Sequence, residues 1–169
     1  MSKIRRFLPL AALPSALLTA CTTATKDDTH QLRDLVDRNE ITGLVNQLGR
    51  ALDEGRFDDF RTIYTAEASA KTPGGRAEGR DALIAQASRN HSDDKRIQHF
   101  ITNVMIDLHG DAAEVRANLI AIFAPATTAV SEPQYTLGEV YRFDAVRTAE
   151  DWRLSRVETT PLWSTGTRP

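Results

Sequence analysis

The spacing of the apolar residues changes once along the chain, and that change limits the fold more than any other feature. Over 29–52, Leu32, Leu35, Val36, Ile41, Leu44, Val45, Leu48, Ala51 and Leu52 recur at three- and four-residue intervals, the pattern of one helix face. From 96 onward the interval is two: Ala113, Val115, Ala117, Leu119, Ala121 and Phe123 share one face of a strand. Helices followed by a run of long strands specify an α+β domain, with helices packed on one face of a mostly antiparallel sheet.

In order, the spacing predicts a first helix capped by Asp28 or Thr29 and stopped by Gly55. Gly43 and Gly49 inside it each cost about 1 kcal/mol against alanine. They mark either close packing against a neighbour or plain tolerance. A short second helix over 56–65 carries Phe57, Phe60, Ile63 and Tyr64 at helical spacing. A short strand over 66–72 is broken by Pro73-Gly74-Gly75, and a third helix covers 81–89. Strands follow over 96–108, 112–125, 135–146 and 152–160, the first two joined by the turn His109-Gly110-Asp111.

At 169 residues the chain holds one domain with a substantial core, and 41% hydrophobic against 26% charged residues describes a globular protein. A net charge of −2 offers no basic footprint for nucleic acid. No apolar run reaches the 18 residues that a spanning helix needs. Residues 1–20 read separately: Lys3, Arg5 and Arg6 precede the apolar run 7–18, and small residues follow, the layout of a secretory signal. Leu18-Thr19-Ala20-Cys21 resembles the lipobox of bacterial lipoproteins, which implies acylation of Cys21 and a membrane-anchored lipoprotein of the bacterial cell envelope. Without lipidation, the cleaved chain is expected to be secreted or periplasmic. Cys21 is the only cysteine, so no intrachain disulfide can form. The expected organisation is a signal peptide at 1–20, a tether at 21–28, the α+β domain at 29–164 and a tail at 165–169.

The chemistry-bearing residues are few. In a strand over 96–108, His99, Ile101, Asn103 and Met105 point one way, and Phe100, Thr102 and Val104 the other. An imidazole among hydrophobes is either a ligand-facing acid or base, or a core histidine with its polar atoms satisfied. His30, His91 and His109 are scattered, expected to be solvated, and have no second ligand at i+4 and no cysteine partner. No metal site is therefore expected. Gly74-Gly75 lacks the lysine and the helix of a phosphate loop, and no serine sits in a nucleophile elbow. No cofactor is expected either.

Four short matches occur in order: Ala51-Leu52-Asp53, Gly75 through Gly79-Arg80-Asp81, Gln98-His99-Phe100 with Asn103, and Trp152-Arg153-Leu154. Together, over 31–160, they resemble the SnoaL-like branch of the nuclear-transport-factor-2-like superfamily. The resemblance implies a cone, a strongly curved and mostly antiparallel sheet wrapped around N-terminal helices, with a pocket at its wide end. It also implies a homodimer through the outer sheet face, which would explain why both faces of 96–108 are apolar. In dehydratase members an aspartate and a histidine act together on a ring substrate, and the matching positions are Asp53 and His99. A carboxylate bonded to an imidazole fixes its tautomer and orients its second nitrogen. Leu48, Tyr64, Ile101, Asn103, Met105, Leu119 and Tyr141 are expected to wall the pocket. The phenols of Tyr64 and Tyr141 either polarise a ligand carbonyl or belong to core aromatics with surface hydroxyls.

Two departures stand out. The second pocket histidine of the dehydratases is missing from 117–125, and Leu48 replaces a tyrosine. The expectation is a pocket protein for a small organic ligand, a lyase or isomerase acting on a small apolar or ring substrate through Asp53 and His99. The other reading is a non-catalytic ligand-binding or assembly lipoprotein of the same fold.

Overall fold

The computed structural model describes residues 25–89, 91–127 and 129–168. Cys21 and the signal-like segment lie outside the described residues. Helix α1, Lys26–Glu54, starts earlier than the apolar spacing predicts because Thr25 and Asp28 form a capping box. The Asp28 backbone N–H donates to Thr25 Oγ1 at 3.2 Å, and the Thr25 N–H donates to Asp28 Oδ2 at 2.9 Å. Gly55, in the left-handed region at φ 67°, ends the helix as expected. Leu32, Leu35 and Val36 are exposed, and burial of α1 begins only at Asp37 and Ile41.

A 3-10 turn at Phe57–Asp59 leads into the single-turn helix α2, Phe60–Ile63. The helix expected over 56–65 stops there, because Tyr64 already opens strand β1, Tyr64–Thr72. After the Pro73-Gly74 turn comes β2, Gly75–Glu78, a strand with one buried residue that is too short to show a period. Helix α3, Arg80–Ser88, follows. The long strands are β3, Lys95–His109; β4, Ala112–Pro125; β5, Tyr135–Arg147; and β6, Trp152–Gly166, six residues longer than predicted.

The six strands form one curved, unclosed sheet in the order β2-β1-β6-β5-β4-β3, with β1 parallel to β6 and every other neighbour antiparallel. Helix α1 packs mainly against β3, and α3 against β1. Between helices and sheet lies a core whose largest fully buried side chains are Trp152, Phe143, Ile41, Ile63 and Leu154. A polar clasp ties α1 to the β5–β6 turn. The Trp152 indole N–H donates to Asp37 Oδ1 at 3.2 Å, Arg147 donates to Asp37 Oδ2 at 2.5 Å, and its guanidinium lies 4.6 Å over the Trp152 ring.

Strand β3 departs from simple alternation. Its pairing with β4 shifts between Thr102 and Met105, and Asn103 adopts φ 53°. This bulge inverts the faces: Ile97, His99 and Ile101 point inward before it, and Val104, Ile106 and Leu108 after it. Asn103 and Met105 consequently face outward, and Met105 is 64% exposed. The apolar character of both faces of 96–108 thus has a local cause, a change of phase within one strand.

Candidate active site

Asp53 lies in the last turn of α1, where a negative charge opposes the helix dipole and no basic residue compensates it. Its carboxylate turns onto β3 instead. Asp53 Oδ1 accepts the His99 backbone N–H at 2.8 Å and lies 2.7 Å from His99 Nδ1. One oxygen therefore fixes both the strand and the ring. A close approach of α1 to β3 is required, and Gly49 provides it: a Cβ there would stand 3.2 Å from Ile101 Cδ1. Gly43 meets nothing within 4 Å, so the two helix glycines differ in purpose.

The side chains of Asp53 and His99 are 29% and 11% exposed, and His99 lines a cavity of about 670 Å³ enclosed by α1, α3 and the inner sheet face. With Nδ1 donating to Asp53, Nε2 is the ring nitrogen left without a partner among the described residues. An imidazole in that tautomer has one bare nitrogen, which can accept a hydrogen bond or a proton.

Leu48, Tyr64 and Tyr141 line the same cavity. The other expected wall residues lie elsewhere. Ile101 packs over Gly49, Leu119 is buried in the core, and Asn103 and Met105 are turned outward by the bulge. Burial pushes the phenols of Tyr64 and Tyr141 well above the usual tyrosine range, so both remain hydrogen-bond donors at any ordinary pH.

Glu139 was not among the expected residues, yet it lines the cavity from the inner face of β5 and is 6% exposed. Burial raises its carboxyl above the usual range, against the opposing effects of the Thr159 hydroxyl and of the neighbouring basic side chains. The signal that finds it is parity: Leu137, Glu139, Tyr141, Phe143 and Ala145 share one face, and one of them is a carboxylate. Arg89, Lys95 and Arg168 also line the cavity, and none forms an ion pair with a described carboxylate. His30 and His109 are exposed. His91 is half-buried, its ring 5.6 Å from that of Phe57 and packed over Gly55, and so has a packing role where the spacing predicts a solvated residue.

A helix-lined cavity under a curved, unclosed sheet defines the cystatin-like fold of nuclear-transport-factor-2-like proteins. One such protein from Novosphingobium aromaticivorans superimposes with a TM-score of 0.68 and 22% identity, over 82% of this chain and 90% of that one. More narrowly, the chain belongs to the SnoaL-like domain family, whose model matches residues 33–158. The uncharacterised Mycobacterium tuberculosis protein Rv2910c is 32% identical over 131 residues, 75% of this chain and 86% of its own length. A putative scytalone dehydratase from Novosphingobium aromaticivorans superimposes with a TM-score of 0.71 and 19% identity, over 82% and 93% of the two chains. A type 2 hexachlorocyclohexane dehydrochlorinase, LinA, gives 0.70 and 16%, over 82% and 97%.

Proposed function

We propose that this protein is a small-molecule pocket protein with lyase or isomerase activity, in which His99 removes a proton from a carbon of a small ring substrate and Asp53 orients the imidazole. The observation that carries the reading is the 2.7 Å contact of His99 Nδ1 with Asp53 Oδ1 at the wall of a cavity that can hold such a ring. Removing the proton places negative charge on an adjacent carbonyl oxygen, and the buried phenols of Tyr64 and Tyr141 are donors suited to stabilise it. Two structural neighbours are by name a dehydratase and a dehydrochlorinase, which supports an elimination-type reaction at the level of fold.

The protein works, in this reading, at the bacterial cell envelope through a lipid on Cys21, and as a homodimer through the outer sheet face. An exposed apolar row supports the second point. Phe100 pairs with Ile120, Ile120 with Gly138, and Gly138 with Trp163, whose ring covers it.

Proton transfer is tested with 2-tetralone in deuterated buffer, following loss of the α-proton signal by NMR. The wild type accelerates exchange above the buffer rate, and His99→Ala abolishes the acceleration while the fold persists. Exchange at the buffer rate in the wild type contradicts the catalytic reading and leaves a binding or assembly protein.

A further inference from the structure

Among the described residues lining the cavity, Glu139 is the only acidic one. Its Oε1 is buried and makes no hydrogen bond, and the same is true of Thr159 Oγ1. The two sit side by side on adjacent strands. Thr159 pairs with Tyr141, and Glu139 lies two residues from Tyr141 on the same inner face. Thr159 Oγ1 lies near enough to Glu139 to oppose the rise of its carboxyl, yet neither atom reaches a partner at hydrogen-bonding geometry, and buried polar atoms left so are unfavourable unless something binds them.

Their position relative to His99 is set by register. His99 pairs with Ala121 on β4, Ala121 pairs with Leu137 on β5, and Glu139 is the next inward residue. Two strand spacings, about 10 Å, separate the backbones of His99 and Leu137, and the step of two residues along β5 puts Glu139 roughly 12 Å from His99. The small side chain of Ala121 leaves the floor open between them.

We propose that Glu139 and Thr159 form a polar subsite that binds a ligand oxygen, so that the cavity takes a ring compound bearing a ketone or alcohol. The proposal rests on the proton-transfer reading only for the direction in which the ligand's acidic carbon faces, which is toward His99. A neutral carboxyl donates its O–H to a carbonyl or hydroxyl oxygen, and the threonine hydroxyl donates or accepts beside it. A hydrocarbon of the same shape leaves both atoms unpaired, and a site of this kind discriminates against such a ligand. Burial shifts the balance of Glu139 toward this neutral form. Groups facing it are His99, with Asp53 behind it, the phenol of Tyr141, and Arg168.

The test compares 2-tetralone with tetralin, the same ring system without the oxygen, by ligand-observed NMR titration of the full-length protein. The wild type is expected to bind the ketone about tenfold or more tighter. Glu139→Leu should remove that preference without weakening tetralin, and Glu139→Gln, which keeps a donor, should retain most of it. The wild-type preference should fall as pH rises through the titration of Glu139, and should be flat in Glu139→Gln. Equal affinity for the two ligands, no binding of either, or a preference that survives Glu139→Leu overturns the proposal. Deuterium exchange into 2-tetralone, read in the same samples, separates the two claims. A ketone preference without exchange rejects the proton-transfer role of His99 alone, and exchange without a preference rejects the Glu139 subsite alone.

Discussion

Asp53 Oδ1 accepts from both the backbone and the ring of His99, so the carboxylate acts on geometry as well as charge. Replacing His99 with alanine should lower proton exchange about 10²- to 10⁴-fold, the usual contribution of a positioned base, with little effect on the urea midpoint. Glu139 gives a prediction of opposite character. Its carboxyl is raised by burial, so the folded state binds more protons than the unfolded state between the two titrations. Stability should therefore fall as pH rises from about 4.3 through the folded value. Urea unfolding of Glu139→Gln should show a variant more stable than the wild type at neutral pH, with the advantage vanishing below about pH 4. An advantage that grows toward acid would contradict the buried-carboxyl account. Legibility differed between these residues. Asp53 and His99 stand in matched motifs, whereas Glu139 stands in none and is visible only by strand parity.

At the level of elements, the helices and long strands were legible because α1 keeps a 3.6-residue period and β4 a strict alternation over Ala112–Pro125. What defeated the period was a single backbone angle. Asn103 at φ 53° inverts β3, so the residues after it face opposite to the alternation, and no residue count reveals this in advance. Asn103→Gly should be neutral or stabilising. Asn103→Val should cost about 1–2 kcal/mol in urea denaturation, because β-branched residues resist positive φ. Strand β2 was missed because four residues do not establish a period. The start of α1 was missed because the Thr25–Asp28 box precedes the apolar stripe. At the opposite end of the strands from the cavity, Asp37→Ala leaves the buried Trp152 indole N–H without its acceptor, at a cost of about 1–3 kcal/mol. Chemical denaturation measures it. Because Arg147 holds the Asp37 carboxyl below its usual range, this contribution is present above about pH 4 and is lost only as the pH falls below it.

For the whole molecule, the curved sheet gathers the candidate site at one end. His99, Glu139 and the phenols line the cavity, Phe100 and Ile120 are exposed on the outer face, and Trp163 covers Gly138 at the cavity rim. If that outer face joins two copies, Ile120→Glu should shift the protein from dimer to monomer in light scattering while leaving ketone binding in place. A wild-type monomer at tens of micromolar would reject the outer-face dimer. The class of fold was readable from the order of elements alone; the cavity was not, because it depends on curvature and on which residues are small. Membrane fractionation of Cys21→Ser examines the anchor. Release of the variant into the soluble fraction is expected, and retention after high salt would contradict lipidation at that residue.

The central claim is that Asp53 holds the His99 ring with Nε2 available to the cavity. Long-range proton–nitrogen NMR of histidine-labelled protein, with the His99 signals assigned by their loss in His99→Ala, reads it directly. The expected neutral ring carries its proton on Nδ1 and has a bare Nε2. A neutral ring protonated at Nε2, with Nδ1 bare, would contradict the account.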